Sequence, residues 1–411
     1  MIRLWIISGD KSPVGRHRWG SRRSGELLEP DCGGTASGAG YRTTRSPPCA
    51  KVTGVRSPPC AKVTGVLSPT APFILADYGY DIWLGNIRGN FYSRKHVTLS
   101  PDKSKFWNFS MHEMGVYDVP AMIDHILLTT GQGKIFYVGH SMGTTMFYVM
   151  ASSRPEYNSK IRLMVALAPV VYFSELRFPI LQFVSPRTDE VSKLLGQLGV
   201  HELLPRRKAT AEFAEKYCTE GIKSQNMCLT AYNLIYGENE SELNKTALPS
   251  FVSHLYAGAS RKTLAHYGQI ARSGVEICET NCIDEEEFVE TWMAYTVSNL
   301  GGADPTVETL TQMERRFQEY DYGPEANIKR YGQSEPPTYD LRRITAPVSL
   351  HYAKADLLVV PQDVRQIYEK LANPIGMFEV PQDKFNHLNF ILALRVKPLL
   401  FDLILELLSR Y

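Results

Sequence analysis

The chain has 411 residues, 44% hydrophobic and 21% charged, with a formal net charge of +2, which is enough for a large core and too apolar for a disordered chain. That small charge conceals a split, because residues 1–66 carry eleven Lys or Arg against four acids, a surplus of +7 that leaves −5 for residues 67–411. The mildly acidic remainder excludes a nucleic-acid footprint over most of the chain, and no uninterrupted apolar stretch reaches the roughly 20 residues that span a bilayer.

The first ten residues hold an apolar core too short for a signal peptide, and no small-residue cleavage site follows it. Residues 45–55 are repeated at once as residues 56–66, and Leu67-Ser68-Pro69 begins a decayed third copy. A unit with two prolines and no apolar periodicity is not expected to pack. Residues 1–72 are therefore expected to be a low-complexity, disordered or non-native segment, and its basic surplus is a weak sign of any binding role.

Ile135-Phe136-Tyr137-Val138 reads as a strand, Gly139-His140-Ser141-Met142-Gly143 as a tight turn, and the run from Thr144 to Met150 as a helix. A G-x-S-x-G sequence between strand and helix lets the backbone through a turn too tight for flanking side chains and leaves a hydroxyl at its tip. Ser141 is thus the candidate nucleophile. A further strand is expected over residues 162–167, after which residues 171–341 carry apolar residues such as Phe173, Phe178, Leu194 and Leu198 at spacings that suit short helices. Within that stretch Cys278 and Cys282 stand among the acids Glu279, Asp284, Glu285, Glu286 and Glu287. A single C-x₃-C without further ligands makes a poor metal site, and a solvated acidic loop is the expectation.

A serine nucleophile needs a base to take its proton and an acid to orient that base. Residues 346–353 read as a late strand leading to Asp356, and residues 377–380 as a last strand leading to His387. Both lie beyond strand ends, in the order Ser, Asp, His. Asp363 competes for the acid role, but Pro361-Gln362-Asp363-Val364 looks like a helix start, where aspartate is favoured by the dipole. His140 sits beside the nucleophile and is not expected to reach round to it; His112, His125, His201, His254, His266 and His351 lack evident reach. The chemistry requires no metal or organic cofactor. Residues 398–408 read as a packed terminal helix.

At these residues the sequence resembles a known family. The run from Phe73 through Asp77-Tyr78-Gly79-Tyr80-Asp81-Ile82-Trp83-Leu84-Gly85-Asn86-Ile87-Arg88-Gly89-Asn90, then Ser93-Arg94-Lys95-His96, Phe106-Trp107, the elbow, Asp356 with Pro361-Gln362-Asp363-Val364, and Asn386-His387-Leu388 are similar to the acid lipases. That group contains lysosomal acid lipase, gastric lipase and many insect digestive lipases. The resemblance implies an α/β-hydrolase fold with a mostly parallel sheet, a core of residues 73–170 and 342–411, and a helical cap of residues 171–341. It implies hydrolysis of neutral lipid esters, triacylglycerol or sterol ester, at an emulsion or membrane surface through a serine acyl-enzyme. Ser141, Asp356 and His387 fall on the family's triad positions, and Met142 on a backbone donor of the oxyanion hole. A disulfide between Cys218 and Cys228 and a secreted or lysosomal location are implied likewise. The sequons at Asn108, Asn239 and Asn244 matter only in such a secretory context.

The resemblance covers about residues 73–274 and 316–411. No His-Gly pair precedes Phe73, so the second oxyanion donor and the first strands of the sheet are expected to be missing, leaving a strand edge uncovered. A catalytically impaired, lipid-binding relative and a short-chain esterase on the same fold are the alternative readings.

Overall fold

Nine strands are present among the described residues: β1 (Arg3–Ser8), β2 (Val52–Val55), β3 (Asp81–Gly85), β4 (Ile135–His140), β5 (Ile161–Leu167), β6 (Glu202–Leu203), β7 (Ala259–Ser260), β8 (Val348–Tyr352) and β9 (Pro374–Glu379). The computed structural model describes residues 3–8, 52–55, 71–175, 177, 185–239, 241–273 and 315–411. The acidic stretch with Cys278 and Cys282, and the second copy of the repeat, lie outside them.

Seven strands form one sheet in the order β2-β3-β1-β4-β5-β8-β9. The pairs β4–β5, β5–β8 and β8–β9 are parallel. Since β1 is antiparallel to both β3 and β4, β3 runs with the parallel group, and five of the seven strands point one way. Every residue of β4 is buried, and β5 buries all but Arg162, the near-continuous apolar run of strands covered on both faces. In sheets of this kind the carboxyl ends of the parallel strands form the ligand crevice.

Two strands correct the expectation that residues 1–72 contribute nothing to the sheet and that its edge stays open. The β-prone run Leu4-Trp5-Ile6-Ile7 lies in β1 between β3 and β4, with Ile6 and Ile7 fully buried. It satisfies the two strand edges that would otherwise face each other unpaired. β2 comes from the first copy of the repeat: Val52-Thr53-Gly54-Val55 pairs with β3 as an edge strand, and the prolines of that copy fall outside it.

The helices in chain order are α1 (Ala71–Asp77), α2 (Val119–Thr130), α3 (Met142–Ser153), α4 (Thr188–Gln197), α5 (Lys208–Tyr217), α6 (Gln225–Tyr236), α7 (Leu248–Leu255), α8 (Arg261–Arg272), α9 (Pro324–Tyr331), α10 (Pro361–Lys370) and α11 (Asp402–Arg410). Helices α4 to α9 and the small β6–β7 pair lie between β5 and β8, so the sheet is interrupted by a largely helical insert. Cys218 and Cys228 form a disulfide there, Cα–Cα 5.3 Å, tying the end of α5 to α6. On the core side, Arg88 and Asp118 make a bidentate pair, with Nη2 to Oδ1 at 2.6 Å and the Arg88 amide to Oδ2 at 2.9 Å. Burial raises the Asp118 carboxyl and the Arg88 guanidinium opposes it.

Two buried histidines make the fold acid-sensitive. His266 on α8 bridges Ser110 Oγ and the Gln318 carbonyl, and burial lowers it to about 4; His351 on β8 stacks on Phe378, and burial lowers it to about 3. The unfolded chain takes up these protons near the usual histidine value of about 6.5, whereas the folded chain does not. Stability is therefore full above about 6.5 and is lost as pH falls toward the folded values. Between pH 7 and 5 the expected loss is about 2 kcal/mol per histidine, measured by urea unfolding. A His351→Phe variant, which keeps the stacking ring, should lose only about half as much.

Candidate active site

β4 ends at His140 and α3 begins at Met142, leaving Ser141 alone to make the turn, with φ 56° and ψ −124°. A non-glycine residue there costs about 1–3 kcal/mol and persists only when its surroundings over-determine it. They do: the Ser141 amide donates to Leu167 O at 3.0 Å and the Thr144 amide to Ser141 O at 2.8 Å. Thr144 Oγ1 also donates to Ser141 O, and the buried Tyr137 hydroxyl donates to Gly143 O at 2.8 Å. A Cβ on Gly139 would stand 2.8 Å from Gly143 C and 3.0 Å from Thr144 N, backbone atoms that cannot swing aside. Gly139→Ala is expected to destabilise the protein by about 3 kcal/mol and to abolish active-site labelling of Ser141. An unchanged melting temperature and labelling rate would show that the elbow tolerates a side chain.

Three residues from three strand ends converge on this turn. His387 Nε2 lies 2.8 Å from Ser141 Oγ, and His387 Nδ1 lies 2.8 Å from Asp356 Oδ2. The carboxylate accepts the Nδ1 proton, which leaves Nε2 as the acceptor facing the serine hydroxyl. Asp356 is 1% exposed, and its other oxygen accepts from the amides of Leu358 at 2.8 Å and Val359 at 3.1 Å. These bonds hold the carboxylate against the imidazole. Asp363 sits apart in the first turn of α10, accepting from the Ser174 amide; burial raises its carboxyl. His140 does not touch Ser141. Its Nε2–H donates to the His387 carbonyl at 2.8 Å, a supporting contact that nothing in the local sequence announces.

Of the sequons, Asn108 is exposed. Asn239 is corrected: it is 2% exposed and its Nδ2 donates to Asn389 Oδ1 at 2.8 Å, so a glycan on that nitrogen is incompatible with the fold. Asn244 is also buried, its Oδ1 accepting from the Ala247 amide, and the same objection applies. A sequon reports a local pattern, whereas burial is decided by the tertiary partner.

A mostly parallel sheet with a strained serine at a strand–helix elbow is the α/β-hydrolase fold. The family described as alpha/beta hydrolase fold matches residues 67–195. A second family, described as the N-terminal region of a DNA polymerase alpha subunit, matches residues 269–319, too small a share of the chain to place it. Lipase 1 of Drosophila melanogaster is 36% identical over 82% of this chain and 66% of that protein. Lipase member N of Mus musculus is 33% identical over 82% and 73%, and gastric triacylglycerol lipase of Mus musculus 33% over 78% and 70%. The chain therefore spans about two thirds to three quarters of the length of these relatives. A thermophilic esterase from Thermogutta terrifontis superposes only loosely, with TM-score 0.38 and 12% identity over 88% of this chain and 93% of that one. The chain belongs to this family of lipases, enzymes that hydrolyse ester bonds.

Proposed function

We propose that the chain hydrolyses neutral lipid esters by two-step acyl transfer at Ser141. The observation that carries this reading is the unbroken line of hydrogen bonds from Ser141 Oγ through His387 to Asp356. His387 Nε2 takes the hydroxyl proton as Oγ attacks the ester carbonyl, and the imidazolium so formed is stabilised by Asp356. The resulting oxyanion meets the amide of Met142, the first residue of α3, where helix N–H groups lack intrahelical acceptors and the dipole favours negative charge. Collapse releases the alcohol, which takes its proton from His387. Water, deprotonated by the same histidine, then frees the fatty acid from the acyl-enzyme.

The insert between β5 and β8 acts in this reading as a cap over the crevice. Its exposed Leu194, Leu198 and Leu204 give it an apolar outer surface suited to an emulsion or membrane. No helix among the described residues is long and apolar enough to cross a membrane. The Cys218–Cys228 disulfide supports secretion or delivery to a lysosome, since such bonds persist in oxidising compartments.

The test is chain-length preference. Hydrolysis should favour a long-chain triacylglycerol or sterol ester presented as an emulsion over a dissolved short-chain ester. Preference for the soluble short-chain substrate would replace the lipase reading with that of an esterase on the same fold.

A further inference from the structure

We propose that Asn239, on the insert, is a positioning residue for His387, so that the insert and the loop carrying the base form one hydrogen-bonded unit. The inference rests on the reading of His387 as the base. His387 lies in a loop between β9 and the short helix Asn389–Leu392, where no strand ladder holds its backbone. Its neighbours on either side do that work. Asn386 and Asn389 are both fully buried. Asn386 Oδ1 accepts from the amides of Leu388 at 3.1 Å and Asn389 at 3.2 Å, closing a turn around His387.

The amide orientations in this cluster follow from one another. The Asn386 backbone N–H can only donate, and it meets Asn389 Oδ1 at 2.8 Å. The Asn239 atom that approaches the same oxygen at 2.8 Å must then be the Nδ2 donor. Asn239 Oδ1 is left to accept from Ser241 Oγ at 3.1 Å. The insert makes a second contact two residues earlier, where Gly237 O accepts from Asn386 Nδ2 at 3.0 Å. Gly237, at φ +88°, also packs against the acid's loop: a Cβ there would sit 3.6 Å from Ala355 O and 3.9 Å from both Asn386 Cβ and Leu357 Cδ1.

The far end of the loop is held by the same segment. Glu242 O accepts from the Leu394 amide at 2.8 Å, the fully buried Glu242 carboxylate pairs with Arg395, and Leu243 bridges Ala393. Residues 237–243 thus run beside residues 386–395 and fasten them on both sides of the base. None of these groups touches the reacting atoms. What they fix is where the imidazole stands, and a displacement of about 1 Å costs on the order of 10²-fold in rate.

The experiment compares Asn239→Asp with wild type, counting active sites by fluorophosphonate reaction carried to completion. Asp is nearly isosteric and replaces the donor facing Asn389 Oδ1 with an acceptor. The expected result is a fall in kcat per titrated site of about 10²-fold with KM unchanged. Ser241→Ala, at an exposed position, removes only the bond to Asn239 Oδ1 and should give a smaller loss in the same direction while folding normally. Unchanged kcat per titrated site in both variants, even with fewer sites recovered, overturns the inference and leaves a purely structural asparagine. His387→Ala separates the two readings. Full turnover in that variant removes the base assignment and the inference with it, whereas an inactive His387→Ala alongside unaffected Asn239 and Ser241 variants removes the inference alone.

Discussion

Ser141→Ala should lower turnover of a long-chain ester by a factor on the order of 10⁶, the size of loss seen when the nucleophile of a serine triad is removed. The hydroxyl stands 2.8 Å from His387 Nε2 at the tip of a turn whose backbone is held by Leu167, Thr144 and Tyr137. Deleting Oγ leaves that frame intact and relieves no strain, because alanine must adopt the same positive φ. Expression, disulfide formation and melting temperature should therefore match wild type. A variant that folds as wild type and hydrolyses at the same rate would end the nucleophile assignment.

Asp356→Asn should cost about 10⁴-fold in kcat, the effect of the same exchange in a serine-protease triad. In the wild-type chain the carboxylate accepts the Nδ1 proton of His387 at 2.8 Å, which keeps Nε2 unprotonated. The substituted amide keeps its oxygen toward the backbone N–H groups of Leu358 and Val359 and turns its NH₂ toward Nδ1, so the imidazole proton moves to Nε2 and no acceptor faces Ser141. Binding is untouched, so KM should stay near its wild-type value. A change in KM rather than kcat, measured by steady-state kinetics over a range of emulsion areas, would instead assign Asp356 to the frame of the crevice.

Much of this site is legible in the sequence because its signals are local. The elbow declares itself through strand, Gly139, Ser141, Gly143 and helix, and the structure ends β4 at His140 and begins α3 at Met142. Asp356 and His387 follow from strand-end position and chain order, and the fold brings His387 within hydrogen-bond distance of both Asp356 and Ser141. What is not legible depends on distant partners. The strand Arg3–Ser8 is an ordinary β-prone run ahead of a basic repeat, and only the facing edges of β3 and β4 give it a place. The four residues of β2 are hidden inside a proline-bearing repeat for the same reason. Asn239 reads as a glycan acceptor because Asn-Glu-Ser is complete within three residues, while the Asn389 side chain that takes its amide proton lies 150 residues away. The contact of His140 with the His387 carbonyl is likewise a product of two loops meeting.

Activation of Ser141 as a nucleophile is tested most directly by reacting the folded full-length protein with a long-chain fluorophosphonate and mapping the adduct by peptide mass spectrometry. The expected result is a single adduct on Ser141, lost in His387→Ala on the same timescale and blocked by prior incubation with a lipid ester. Folded protein that stays unlabelled, or labels at another residue, would contradict it.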